Sequence, residues 1–154
     1  MRLIQEVDWS GQIIWQCEAP AQHHDFVRLA NGNTSYLGFE RLSLGATKRV
    51  RGGLPGTEID GDYILGDYIR EVTPDGEIAW EWHVEENMEI EQFPLHDFTS
   101  REEFSHANSI FDLDGGGYLI SRLPTCLGPL KLLLMRFTHA KPFSTFTSTF
   151  TFTF

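Results

Sequence analysis

A chain of 154 residues with a formal charge of −10 has the length of one packed domain and an acidic balance. That charge argues against a nucleic-acid partner, because phosphate binding needs a basic face. A small anionic ligand stays compatible with it, since a local pocket of histidine and arginine can oppose the overall sign. The first residues lack the pattern of a signal peptide, and the longest apolar run is far below membrane-spanning length. The sequence therefore indicates a soluble chain with neither an export signal nor a membrane segment.

A unit of short strands and tight turns is written twice along the chain. Each copy consists of a strand, a tight turn and a second strand that contains a tryptophan. The turns are at Ser10-Gly11 and Asp75-Gly76, and the tryptophans are Trp15 and Trp80. The residue two positions before each tryptophan is isoleucine, so the two side chains share a face of the strand, which we expect to pack against a neighbouring unit. A repeat of whole supersecondary units indicates a repeat fold.

The segments around these units complete an all-β prediction. Arg49 to Gly56 is predicted as a loop from its glycine and proline content, and Tyr63 to Val72 as a strand. The acidic stretch from Glu85 to Phe104 could hold a helical turn. Many short strands, evenly spaced turns and an aromatic residue at a fixed place in each unit predict an incomplete β-propeller over residues 1–122. A β-sandwich is the competing architecture, but it does not predict a repeated histidine.

Polar residues recur at matching places in the two copies. His23, His24 and Asp25 precede a second turn in the first copy, and His106 and Asn108 precede the matching turn in the second. Residues two apart on a strand share a face, so we expect His23 to lie with Asp25 and His106 with Asn108, while adjacent His23 and His24 point to opposite faces. Equivalent positions of successive blades converge on the central channel. There the imidazoles could act as nucleophile or general base towards a small oxyanion.

Two further observations extend this predicted anion site. Arg122 follows the second turn of the later copy, and its guanidinium offers a planar fork of donors that matches two oxygens of a sulfate or phosphate. His23, Asp25 and His106 together leave a metal-dependent hydrolase as an alternative, although adjacent histidines on opposite faces would be poor joint ligands. Cys17 and Cys126 lack metal-type spacing, and a disulfide and free thiols both stay open.

Three ordered segments resemble signatures of the bacterial arylsulfotransferase (aryl-sulfate sulfotransferase) family. They are His23-His24-Asp25-Phe26 with Leu29 to Thr34, Gly52 to Glu58 with Gly66 to Trp82, and His106-Ala107-Asn108-Ser109 with Asp114-Gly115-Gly116 and Leu119 to Arg122. The resemblance implies a six-bladed β-propeller, of which this chain would hold two to three blades. It also implies transfer of a sulfuryl group from a phenolic sulfate ester to a phenolic acceptor through a sulfated histidine. No cofactor and no metal is implied.

The resemblance assigns roles to the residues of this chain. It implies catalytic roles for His106 and for the His23-His24 pair, of which one ring faces the channel, and the repeat alignment favours His23. Asn108 and Arg122 match residues that hold the substrate, and Asp25 joins them as a binding residue through the repeat. The expected partners are small aryl sulfates and phenols.

The departures from the family bear on activity. The family's nucleophilic histidine belongs to a later blade, and no position here matches its motif; His139 lacks the surrounding pattern. After Arg122 the resemblance ends, and residues 123–154 run into a Ser/Thr/Phe tract of low complexity, typical of a frameshifted or disordered tail. We therefore expect an inactive fragment of a propeller. A non-catalytic propeller module that binds a partner is the other alternative.

Overall fold

The computed structural model describes residues 2–114, 117–122 and 133–135, with the backbone alone for Arg122 and for residues 133–135. Within that part of the chain the secondary structure is predominantly strand, which confirms the all-β prediction. The strands are β1 (Leu3–Val7), β2 (Ile13–Glu18), β3 (Gln22–Arg28), β4 (Thr34–Arg41), β5 (Gly52–Leu54), β6 (Leu65–Val72), β7 (Ile78–His83), β8 (Leu95–Ser100), β9 (Ala107–Asp112), β10 (Tyr118–Arg122) and β11 (Leu133–Met135). The helical segments are α1 (Leu44–Arg49), α2 (Val84–Asn87) and a 3-10 helix at Ile90–Gln92.

Within the described residues the strands form four sheets. The central sheet has four antiparallel strands in the order β3-β4-β6-β7. A β1–β2 hairpin lies on one side of it, and the sheet β9–β10–β11 lies on the other, while β5 and β8 form a short parallel pair. None of these sheets closes on itself within the described residues.

The two hairpins predicted as copies of one unit have the same register. Each turn closes with a glycine of positive φ, 85° at Gly11 and 86° at Gly76, a conformation that glycine adopts without steric cost. Both hairpins carry a bulge at the same place, beside the turn. The paired residues are Glu6 with Trp15 and Val7 with Ile13 in β1–β2, and Glu71 with Trp80 and Val72 with Ile78 in β6–β7.

Both tryptophans contact the next sheet along the chain, as predicted. The indole N–H of Trp15 donates to the carbonyl of Pro74, 2.8 Å away, in the turn between β6 and β7. The ring of Trp80 stacks on Tyr118 of β10, with 5.8 Å between centroids. Ile13 and Ile78 were expected to pack with the tryptophans on the same face, but both isoleucine side chains are more than half exposed. The bulge and turn beside each isoleucine interrupt the strand alternation on which that part of the prediction depended.

The central sheet is buried on both faces. Leu37 of β4 and Ile69 of β6 are register partners on one face, where they join the larger core with residues of β9 and β10. Tyr36 and Tyr68 lie on the opposite face in a second cluster, packed against β1 and β2. Because both faces are covered, β4 and β6 are almost continuously buried, as expected for strands of a sheet between two layers.

The structure corrects the loop predicted at 49–56 and confirms the helical turn predicted in the acidic stretch. The predicted loop at 49–56 contains strand β5, where Gly52 has a φ of 73° and a Cβ would meet the carbonyl oxygen of Leu95 at 2.0 Å. Glycine therefore permits a close strand pairing that composition alone suggested was a loop. The helical turn predicted in the acidic stretch is confirmed as α2. No helix in the described part of the chain is long and apolar enough to cross a membrane.

The tail predicted to diverge after Arg122 is described only at Leu133–Met135. These three residues pair antiparallel with β10 as strand β11. Cys126, His139 and the Ser/Thr/Phe tract lie outside the described residues.

Candidate functional site

Three histidines from the predicted site lie together near the beginnings of β3 and β9. The ring of His24 is 5.1 Å from that of His23 and 5.0 Å from that of His106, measured between centroids. Two of these residues come from the first predicted copy of the unit and one from the second. The sequence analysis expected one ring of the His23-His24 pair, His23 by preference, to converge with His106, and the structure places the His24 ring beside His106.

The backbone at the cluster departs from a regular strand. His24 has a φ of 50° and His106 a φ of 45°, both in the left-handed region that non-glycine residues seldom adopt. Strand β3 also shifts register between Gln22 and Phe26. Such positions cost about 1 kcal/mol or more and concentrate at functional sites, where they re-aim side chains.

This irregular backbone overturns one expectation about the paired histidines. His23 and His24 do not point to opposite faces: their Nδ1 atoms are 2.8 Å apart, within hydrogen-bond distance. The prediction assumed the two-residue alternation of a regular strand. The bulge in β3 and the positive φ of His24 break that alternation and turn the two side chains towards each other.

Burial separates the roles of the adjacent histidines. His23 is only 6% exposed, and its ring stacks on Phe39 with 3.5 Å between centroids and 3° between planes. His24 is exposed and lies beside His106. His24 is therefore the exposed ring of the pair, whereas the repeat alignment favoured His23 as the ring that faces the channel.

A buried carboxylate that the sequence did not single out lies behind His23. Asp67 on β6 holds its Oδ1 atom 3.0 Å from Nε2 of His23, with both side chains almost fully buried. The distance suits an ion pair, although the angle is poor for a hydrogen bond. The other oxygen of Asp67, Oδ2, accepts a hydrogen bond from the backbone N–H of Ala107 at 2.9 Å and another from the hydroxyl of Ser105.

A second carboxylate bonds His106. Glu103, three residues earlier, accepts a hydrogen bond from Nδ1 of His106, and both side chains are partly exposed. The three-residue spacing was visible in the sequence and could have suggested this pair. Nothing local in the sequence announces the Asp67–His23 contact, because it depends on how β3, β4 and β6 are ordered in the central sheet.

The predicted binding residues take different places. Asp25 connects two sheets. Its carboxylate accepts hydrogen bonds from the backbone N–H of Phe26 in its own strand, at 2.9 Å, and from that of Ile110 in β9, at 3.0 Å. Asn108 donates to the carbonyl of His106 at 3.4 Å, so it stays beside the cluster. The backbone of Arg122, at the end of β10, pairs with that of Ala107 in β9. The side chain of Arg122 is outside the described part of the structure.

Comparison with known proteins adds no relative. No protein-family model, no curated protein and no solved structure matches the chain. Among residues 2–114 and 117–121 no group of three histidine, cysteine or acidic side chains is placed to hold a metal ion, so the metal-dependent alternative gains no support from the geometry. The roles assigned by the family resemblance remain predictions.

Proposed function

We propose that this chain is part of an arylsulfotransferase-like β-propeller and that His24 and His106 bind an aryl sulfate. The observation that carries the proposal is the 5.0 Å approach of these two rings, which come from two neighbouring sheets. In this interpretation the central sheet is one complete blade, with β1–β2 and β9–β10–β11 as parts of the blades on either side. That amounts to the two to three blades expected from the sequence.

The chemistry of the cluster suits sulfuryl transfer. Histidine changes charge near neutral pH, so the same ring can donate a hydrogen bond to a sulfate oxygen or accept a proton from a phenol. Sulfuryl transfer spreads negative charge over oxygens that fixed donors stabilise. Asn108 donates a hydrogen bond to the carbonyl of His106, and the backbone of Arg122 pairs with Ala107, the residue after His106. The backbone positions of Asn108 and Arg122 are therefore compatible with a role in holding the ligand.

The binding claim is tested by calorimetry with 4-nitrophenyl sulfate. We expect the purified chain to bind this ester and His106→Ala to weaken binding at least about tenfold, the size of one lost charge-assisted hydrogen bond. The matched control is His96→Ala, because His96 lies on β8 and contacts Phe98 instead of the cluster. Absence of binding, or equal affinity in all three proteins, would refute the site and favour a non-catalytic module.

The activity claim needs a separate assay. We expect no sustained release of 4-nitrophenol with phenol as acceptor, because no residue matches the family's nucleophilic histidine. Sustained turnover that is lost in His106→Ala would contradict the inactive-fragment part of the proposal and would keep the site.

A further inference from the structure

We propose that Asp67 and His23 are positioning residues that keep the proton of neutral His24 on Nδ1, so that Nε2 of His24 exchanges a proton with the phenolic oxygen of the ligand. The identity of the ligand rests on the function proposed above. The arrangement of protons rests on the described contacts alone.

The carboxylate of Asp67 is buried and held in one orientation. Oδ2 of Asp67 is held by two donors, the N–H of Ala107 and the hydroxyl of Ser105. Its Oδ1 atom is thereby placed 3.0 Å from Nε2 of His23, at an angle outside hydrogen-bond geometry, and no described group forms a hydrogen bond with either atom. At that distance in a buried setting the negative oxygen favours a protonated Nε2 over an unprotonated one by charge alone, so we assign the proton of neutral His23 to Nε2.

The tautomer of His23 determines the tautomer of the neighbouring His24 ring. With its proton on Nε2, His23 presents a lone pair at Nδ1, which is 2.8 Å from Nδ1 of His24. One of these two atoms must donate, so His24 holds its proton on Nδ1. Nε2 of His24 is then the atom with the free lone pair, on the exposed ring beside His106.

The irregular backbone at His24 is what allows the two rings to meet. Consecutive residues of a regular strand point to opposite faces and could not bond through their rings. The positive φ of His24 and the bulge in β3 bring them together. Stacking on Phe39 then fixes the plane of the His23 ring. The backbone strain therefore serves the contact between the two histidines, as is common where geometry is imposed by function.

The proton transfer that follows is balanced within the site. A phenolic O–H gives its proton to Nε2 of His24, so the O–H bond breaks, an N–H bond forms on the ring and a phenolate remains. The resulting imidazolium keeps its Nδ1–H bond to His23, and the buried charge of Asp67 stabilises it through that ring. In the reverse direction the imidazolium returns the proton to the phenolate oxygen. The other titratable groups facing His24 are His106 and, through it, Glu103.

The test is the tautomer of each ring, measured by nitrogen-15 NMR of the full labelled chain at a pH where the rings are neutral. In the unchanged protein we expect His23 to carry its proton on Nε2 and His24 on Nδ1. A His24 ring protonated on Nε2 alone would overturn the proposal without any variant. This measurement needs neither ligand nor activity.

Asp67→Asn supplies the decisive variant. Its amide oxygen should keep the two donors now bonded to Oδ2, which places the NH2 group against Nε2 of His23. That nitrogen must then accept, and the protons of both His23 and His24 should switch to the opposite nitrogens. A folded Asp67→Asn protein, judged by its amide spectrum, in which His24 keeps its tautomer would overturn the relay. Glu103→Gln is the matched control, because it should alter His106 and leave His24 unchanged.

The two proposals fail separately. Correct tautomers without binding of 4-nitrophenyl sulfate would refute the proposed function and keep the positioning role. Binding with the wrong tautomer at His24 would do the opposite. If Asp67→Asn does not fold, the tautomers of the unchanged protein still decide the inference.

Discussion

The hairpins β1–β2 and β6–β7 share a turn, a bulge and a register, yet the molecule buries them very differently. Val7 is 55% exposed, whereas Val72, at the matching position, is 3% exposed. Glu6 is exposed and Glu71 is buried. The difference arises because β6 has β4 along its second edge and layers over both faces, while β1 pairs with β2 alone among the described strands. Local sequence builds the hairpin, and its neighbours determine what each residue contributes to stability.

The largest expected contrast is between the two glutamates. Glu71 accepts hydrogen bonds from Asn33 at 2.6 Å and from the hydroxyl of Tyr118 at 3.0 Å, whereas Glu6 makes a surface contact of 3.4 Å with Arg28. Glu71→Ala removes the buried acceptor of these two hydrogen bonds and should lower the free energy of unfolding by about 3 kcal/mol. Glu6→Ala should cost less than about 1 kcal/mol. Urea denaturation measures both, and equal losses would contradict the comparison.

The matched valines test burial without charge. Val72→Ala removes two buried methyl groups from the cluster against β1 and β2 and should cost about 2 kcal/mol in unfolding free energy. Val7→Ala removes groups already in water and should cost no more than about 0.5 kcal/mol. Denaturation of both variants at one pH gives the difference. A larger loss at Val7 would mean that β1 is covered in solution.

Alkaline pH should weaken the central sheet through Tyr68. Burial raises the pKa of this phenol from 10.0 to about 12, so the folded chain keeps its proton where the unfolded chain loses it. The stabilisation is fully present below pH 10 and is lost as pH rises towards 12, by no more than about 2 kcal/mol. Tyr68→Phe should flatten the pH dependence of unfolding over that range. Leu3, at the matching position in the first hairpin, has no ionisable group, so β1 contributes no such pH dependence. If the free energy of unfolding of Tyr68→Phe varies with pH as it does in the unchanged protein, Tyr68 is not the group responsible.

The smallest expected effect on stability comes from the turn glycines of the two hairpins, where the cost of substitution should be the same. Gly11 and Gly76 have nearly the same φ, and a Cβ would meet no atom within 4 Å at either position. Gly11→Ala and Gly76→Ala should therefore each cost about 1 kcal/mol, from backbone strain alone. Thermal or urea unfolding of the pair checks this. A difference above about 1 kcal/mol would show that the two turns are not energetically equivalent.

The sequence predicted part of the candidate site. His23, His24 and His106 were found from their motif and its repetition, and they do lie together. The expectation that His23 and His24 point to opposite faces was wrong, because strand alternation fails at a bulge that no residue type indicated. Asp67 was missed because it reaches His23 only after β3 and β6 have both joined β4.

The sequence by itself determined the all-β class, the two matching hairpins and the tryptophans that contact the next sheet. These features follow from residues close in the chain, since a glycine turn and a short apolar strand fix register locally. Only the tertiary structure decided that Glu71 is buried while Glu6 is not, that His24 is the exposed ring, and that Asp67 lies behind His23. Each of those outcomes depends on strands distant in sequence that meet in one sheet, and burial and charge act on a residue through its neighbours in space.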